Sequence, residues 1–243
     1  MTTPTLEQIQ RHASVRGYRP DPVSRALIET VVAAGQRAST SPNLQVYSAV
    51  AVTGPRTRAR LAALCGGQDH VRQAPVFIAW CADWSRLDRV CRARGVEPVH
   101  DPLENFLVAA VDAALAMQNA ALAAESLGLG MCFIGAVRNR PLDVVALLGL
   151  PRLVFPVAGM TLGWPAQPLR PRPRLPLEAV LHWERYDAAG EDEALDAYDA
   201  AMNTTGVYAG RHVPAPGREA ADYGWREHSA RRAAKAVRTA LRA

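Results

Sequence analysis

A chain of 243 residues, 49% hydrophobic and 21% charged, is long enough for a real core and is not a disordered polyelectrolyte. Its opening Met1-Thr2-Thr3-Pro4 lacks the charged and apolar regions of a secretory signal, and no uncharged apolar run reaches the ~18 residues of a membrane helix. The net charge of +5 belongs to the tail: from Gly210 onward eight Lys or Arg face three acids, which leaves residues 1–209 formally neutral.

Thr3-Pro4 predicts a short helix to about His12, with proline at its first position. The octapeptide Arg11-His12-Ala13-Ser14-Val15-Arg16-Gly17-Tyr18 follows. In an extended chain His12, Ser14 and Arg16 fall on one side, an arrangement suited to an anion, with a solvated loop as the bland alternative. Asp21-Pro22 repeats the start signal for a helix to about Ala38, with Leu27, Ile28, Val31 and Val32 on one stripe. Ser39-Thr40-Ser41-Pro42-Asn43 ends it. Residues 45–53 alternate like a strand, with Val46, Val50 and Val52 on one face, and a helix from about Arg56 to Leu64 stops at Cys65-Gly66-Gly67.

The apolar run Val76–Ala82 reads as a strand buried on both faces. Pro102 to Leu127, closed by Gly128, reads as a long alanine-rich helix at the centre of the fold, whose few polar members Gln118, Asn119 and Glu125 need partners. Strands over 131–137 and 154–162 flank a helix from about Pro141 to Leu148. Residues 165–177 hold five prolines and three arginines, a stiff cationic segment. A helix near 192–202, a Gly/Pro-rich loop at 206–224 and a basic helix at about 225–241 finish the chain. This alternation indicates an α/β or α+β architecture in one domain over 1–243, with 186–243 as a C-terminal extension.

Several signatures are absent: G-x-G-x-x-G, G-K-[ST], H-E-x-x-H and G-x-S-x-G. Cys65, Cys81, Cys91 and Cys132 form no C-x-x-C pair and have no histidine at ligand spacing, which argues against zinc and for thiols in a reducing cytoplasm. Four polar clusters remain: His12/Ser14/Arg16; the hydroxyl-rich turn Ser39–Gln45; Gly66-Gly67-Gln68; and Arg170-Pro171-Arg172-Pro173-Arg174. The first and last carry enough positive charge for a phosphate dianion. The other two offer neutral donors and acceptors for a flat heterocycle and a polyol, or are plain turn and cap residues.

Arranged in order, these clusters resemble the group A oxygen-insensitive nitroreductases and their flavin reductase relatives. The motifs are His12-x-Ser14-Val15-Arg16-x-Tyr18, Ala38-Ser39-Thr40-Ser41-x-Asn43-x-Gln45 and Gly66-Gly67-Gln68-x-His70-Val71. They continue as Asp112–Asn119, Ala123–Gly130, Phe133-Ile134-Gly135, Leu162–Pro165 and Arg172–Pro176, over about residues 6–186. The resemblance implies an α+β fold with a mostly antiparallel sheet flanked by helices. It implies a homodimer with FMN at the subunit interface, NADPH as electron donor, and two-electron ping-pong transfer to nitroaromatic, quinone or flavin acceptors.

Carried over by position, His12, Ser14, Arg172 and Arg174 hold the FMN phosphate, and Arg16 sits near N1 and O2 of the ring. Thr40, Ser41, Asn43 and Gln68 bond the ring edge or ribityl chain. Phe133, Ile134 and Gly135 lie against the ring, with the Gly135 amide near N5; no side chain is itself catalytic, and Arg16 and Gly135 tune the flavin. Phe133 stands where the family often has tyrosine, and Ala136 where it has a second glycine. Arg211 and Arg218 are the candidates for the NADPH 2′-phosphate. Three rival readings remain: a flavin reductase supplying a monooxygenase, a flavin-binding protein without turnover, and a nucleic-acid-associated protein. The last would use Arg231, Lys235, Arg238 and Arg242, which otherwise read as one solvated helix face.

Overall fold

The computed structural model describes residues 2–98, 101–211 and 223–240, with side chains to residue 234 in the last stretch. The chain forms two compact units that meet in sequence at Pro171 and Arg172.

The first unit is built on one antiparallel sheet of four strands: β1 (Tyr47–Val52), β2 (Val76–Asp83), β3 (Gly130–Ile134) and β4 (Val154–Gly163), in the order β1-β2-β4-β3. Tyr47 pairs with Ala82, Val76 with Leu162 and Gly130 with Gly163. The expected α+β class with an antiparallel sheet is what the chain forms. Its helices are α1 (Pro4–Gln10), α2 (Arg25–Gly35), α3 (Pro55–Leu64), α4 (Asp69–Gln73), α5 (Ser85–Ala93), α6 (Pro102–Ser126) and α7 (Pro141–Leu148). Every residue of β2 is buried, and the reason is a layer on each face. Val76, Ile78 and Trp80 join Ile28 and Val31 of α2 and the alanine face of α6 in one cluster. Phe77, Ala79 and Cys81 join Leu61 of α3, Val71 of α4 and Val144 of α7 in the other. A period of two sends alternate side chains to opposite layers.

Helix α6 packs closely because its inward residues are small: Ala109, Ala113, Ala116, Ala120 and Ala124 are all fully buried. Gly35 of α2 belongs to the same close approach, since a Cβ there would come within 2.8 Å of the Ala116 carbonyl. The expectation of a helix buried nearly all round is corrected on the opposite side. Leu103, Phe106, Leu107, Val111 and Leu115 are exposed, a stripe at helical spacing. By length and composition α6 is apolar enough to cross a membrane, yet its alanine face lies on the sheet.

Other boundaries move for local reasons. Helix α2 starts at Arg25, because Ser24 and not Asp21 caps it: the Ser24 hydroxyl accepts from the Leu27 amide at 3.2 Å. Val46 lies outside β1, in a small cluster with Ala82 and Ala109. The strand expected over 131–137 stops at Ile134 and turns into a 3₁₀ helix over Gly135–Arg138. The second unit, described by itself, contains a 3₁₀ turn (Leu177–Ala179), α8 (Glu191–Thr204) and α9 (Trp225–Ala240).

Candidate functional site

The segment after α1 is extended, and its alternation is visible in burial: Ala13 and Val15 face the core, while Ser14 and Arg16 are exposed. The Val15 amide donates to the Met131 carbonyl at 2.8 Å, which lays this segment along the start of β3. Gly130 permits that approach, since a Cβ there would meet Val15 Cγ2 at 2.5 Å. Tyr18 anchors the other end, donating to the Val15 carbonyl at 2.8 Å and sharing a hydrogen bond with Thr161 Oγ1 at 2.7 Å. Burial pushes the Tyr18 phenol above its usual range, so it stays a neutral donor. His12 is fixed from below: its Nδ1 lies 2.6 Å from Glu125 Oε1 on α6, and the Glu125 side chain is only 6% exposed.

Gln68 caps α4 and donates from Nε2 to the Cys65 carbonyl at 2.7 Å. His70, two residues on, has a buried Nε2 without a hydrogen-bond partner among the described residues. Burial first and the charge of Arg16 second hold its pKa below the ordinary 6.5. Arg16 itself forms no ion pair with a described residue. Phe133 is partly buried against the α2–α6 cluster, whereas Ile134 is 2% exposed within the other cluster. Ile134 therefore offers a ligand its main chain, and Gly135 is exposed at the mouth of the 3₁₀ turn.

The turn over 39–45 is held elsewhere. Asn43 and Gln45 take positive φ, 64° and 53°, and the Asn43 amide donates to the Thr40 carbonyl at 2.8 Å. Asp112, 1% exposed, fastens the turn to α6: Oδ1 accepts from the Ser41 amide and Oδ2 from the Val46 amide, both at 3.2 Å. Thr40 stays partly exposed, and Ser41 and Asn43 exposed. Asp112 and Glu125 are thirteen residues apart on one helix, about 20 Å at 1.5 Å per residue. The chain therefore brings His12, Ser14 and Arg16 onto one extended segment and fastens the turn that carries Thr40, Ser41 and Asn43 about 20 Å along α6 from the His12 anchor.

In the second unit Arg172 and Arg174 are exposed and form no ion pair with a described residue; Arg174 donates to the Arg172 carbonyl at 3.2 Å. Arg211 lies over the Tyr208 and Tyr223 rings, at 6.0 and 5.9 Å. Arg218 lies outside the described residues. Of the basic helix, Arg231 pairs with Glu227 and Arg226 with Asp196 at 2.8 Å, while Arg242 and the side chains of Lys235 and Arg238 lie outside the described residues. A cavity of about 830 Å³ borders the 39–45 turn at Leu44 and is walled by Trp84, Leu87, Phe106 and Phe155; none of the expected site residues lines it.

The donor set fits FMN. An exposed hydroxyl and a carboxylate-backed imidazole suit a phosphate, the Arg16 guanidinium suits the electron-rich edge of the ring, and His70 Nε2 is a buried polar atom without a partner among the described residues. Sequence reasoning missed Asp112 as an anchor, although it stood in a quoted motif. A lone acid in an alanine-rich helix is the signal that could have found it.

The family model "Nitroreductase family" matches residues 9–164, and "Nitroreductase family, C-terminal domain" matches 172–243, in register with the two compact units. By class, the chain is an oxidoreductase. It belongs to the nitroreductase family. An oxygen-insensitive NADPH nitroreductase of Salmonella typhimurium is 40% identical over 197 residues, covering 81% of this chain and 80% of the relative. An FMN reductase [NAD(P)H] of Bacillus subtilis is 38% identical over 208 residues, covering 82% and 81%. The solved NfrA1 nitroreductase of B. subtilis superposes with a TM-score of 0.87 at 32% identity, over 98% of this chain and 95% of that one.

Proposed function

We propose that this chain is an FMN-dependent NADPH oxidoreductase acting as a cytoplasmic homodimer, in which each flavin is held by residues of both protomers. FMN, when held by these residues, would supply the redox chemistry for two-electron transfer from NADPH to a nitroaromatic, quinone or flavin acceptor. The observation that carries the two-protomer reading is the ~20 Å along α6 between the Asp112 and Glu125 anchors. A two-fold axis that pairs antiparallel α6 helices brings the turn of one protomer to the strand of its partner. The exposed stripe Leu103, Leu107, Val111 and Leu115, nearer the N-terminal end of α6, is a further apolar face for a partner subunit to cover.

The chain's own residues bind and tune. His12, Ser14, Arg172 and Arg174 hold the phosphate. Thr40, Ser41, Asn43 and Gln68 bond the ring edge and ribityl chain. Phe133, Ile134 and Gly135 back the ring, the Gly135 amide through its main chain. Arg16 places a fixed positive charge where negative charge builds on the ring, which favours two-electron transfer. Arg211 and Arg218 attract the NADPH 2′-phosphate. The four cysteines are free thiols, which fits a reducing compartment. Residues 1–243 serve one function, with the cationic face of α9 solvated.

A second reading, a flavin reductase releasing reduced flavin to a monooxygenase, is favoured by the FMN reductase among the relatives. Anaerobic absorption spectroscopy of purified protein tests the primary reading. Flavin bands that survive dialysis and bleach with NADPH support it; bands lost on dialysis support the second reading. A protein that takes up no FMN contradicts both.

A further inference from the structure

Glu125 is a carboxylate buried at the C-terminal end of α6, and the chemistry above gives it no task. A buried charge is costly unless a partner satisfies it, and its partner is His12, 113 residues away in sequence, at 2.6 Å. His12 is the more open of the two, its side chain 27% exposed against 6% for Glu125. A carboxylate only accepts, so His12 Nδ1 carries the hydrogen in this pair. The imidazole is therefore committed from its buried side. Nε2 is the nitrogen left for a ligand, and His12 shares the alternate positions of the extended segment with the exposed Ser14 and Arg16.

We propose that Glu125 is a positioning residue for the anion end of the flavin site: it fixes the His12 ring so that Nε2 meets the phosphate. Carboxylate, imidazole and phosphate then form a chain in which each hydrogen bond is charge-assisted. The design separates duties. The acid stays out of the ligand's reach, where it would repel phosphate, and still sets the direction of the nitrogen that touches it. This inference rests on the FMN reading above.

Three full-length proteins test it: wild type, Glu125→Gln and Glu125→Ala. Dissociation constants for FMN and for riboflavin, which lacks the phosphate, are measured by flavin fluorescence quenching. Histidine ¹⁵N spectra read the His12 tautomer. The account predicts that Glu125→Ala weakens FMN roughly tenfold or more while riboflavin stays within about twofold. It predicts that Glu125→Gln, which keeps an acceptor and loses the charge, falls between. In wild type the His12 signal reports hydrogen on Nδ1, a preference lost in Glu125→Ala and kept in Glu125→Gln. Equal weakening of FMN and riboflavin overturns the proposal, because a structural defect has no reason to single out the phosphate. A wild-type His12 with hydrogen on Nε2 alone also overturns it. Wild-type protein that binds neither flavin is a different failure, one of the FMN reading itself.

Discussion

Helix α6 carries two buried acids that do opposite things. Asp112 spends both oxygens on main-chain amides, at Ser41 and Val46, and so makes a turn rigid. Glu125 spends an oxygen on a side chain, His12, and so makes a ring point. The first leaves nothing of its own for a ligand and serves the fold. The second ends in an imidazole with a free nitrogen and serves the site. Two carboxylates on one helix are thus told apart by what donates to them: main-chain amides for architecture, a side-chain imidazole for chemistry.

Removing the architectural acid has the largest expected effect. Asp112→Ala strands two amides, each costing about 1–3 kcal/mol, and urea denaturation reads the loss as a lower midpoint. An unchanged midpoint denies Asp112 its anchoring role. Next comes the site itself. Arg16→Ala is expected to leave the urea midpoint near wild type, while FMN retention and reduction by NADPH fall roughly 10–100-fold. Wild-type flavin content in that variant removes Arg16 from the site. Most of the exposed stripe lies on the N-terminal side of the Asp112 anchor, and Val111→Asp sets a charge on it. Sedimentation is expected to show a shift toward monomer, with flavin lost in step; a monomer that keeps its flavin breaks the two-protomer account.

The smallest effect concerns His70. Its folded pKa lies below 6.5, so the unfolded chain binds the proton more readily. That contribution to stability is fully present above about pH 6.5 and is lost as pH falls through the folded value. Wild type is expected to lose more melting temperature between about pH 7.5 and about pH 5 than His70→Gln does. Equal losses show that His70 does not titrate as its burial dictates.

The sheet and most helices were legible in the sequence because a single property decided each. The apolar run Val76–Ala82 has both faces buried, and the alternation of His12, Ser14 and Arg16 survives folding because Ala13 and Val15 point the other way. Short polar helices were not legible: α4 and α5 have no long apolar stripe, and both lie on the surface of the unit. The exposed face of α6 was hidden by composition, since leucine reads as core whichever side it takes. The His12–Glu125 pair could not be read at all. Its members are 113 residues apart, and only the packing of the extended segment on β3 brings them together.

The central claim is that one flavin draws on two protomers, and subunit complementation tests it most directly. Arg16→Ala disables the strand side and Ser41→Trp the turn side, so each variant homodimer lacks activity. Mixed and re-equilibrated, half of the dimers are hybrids, each with one site carrying both defects and one carrying neither. The account predicts recovery of about a quarter of wild-type NADPH-dependent activity. No recovery, with hybrid dimers shown to form, means that each protomer builds its site alone and contradicts the account.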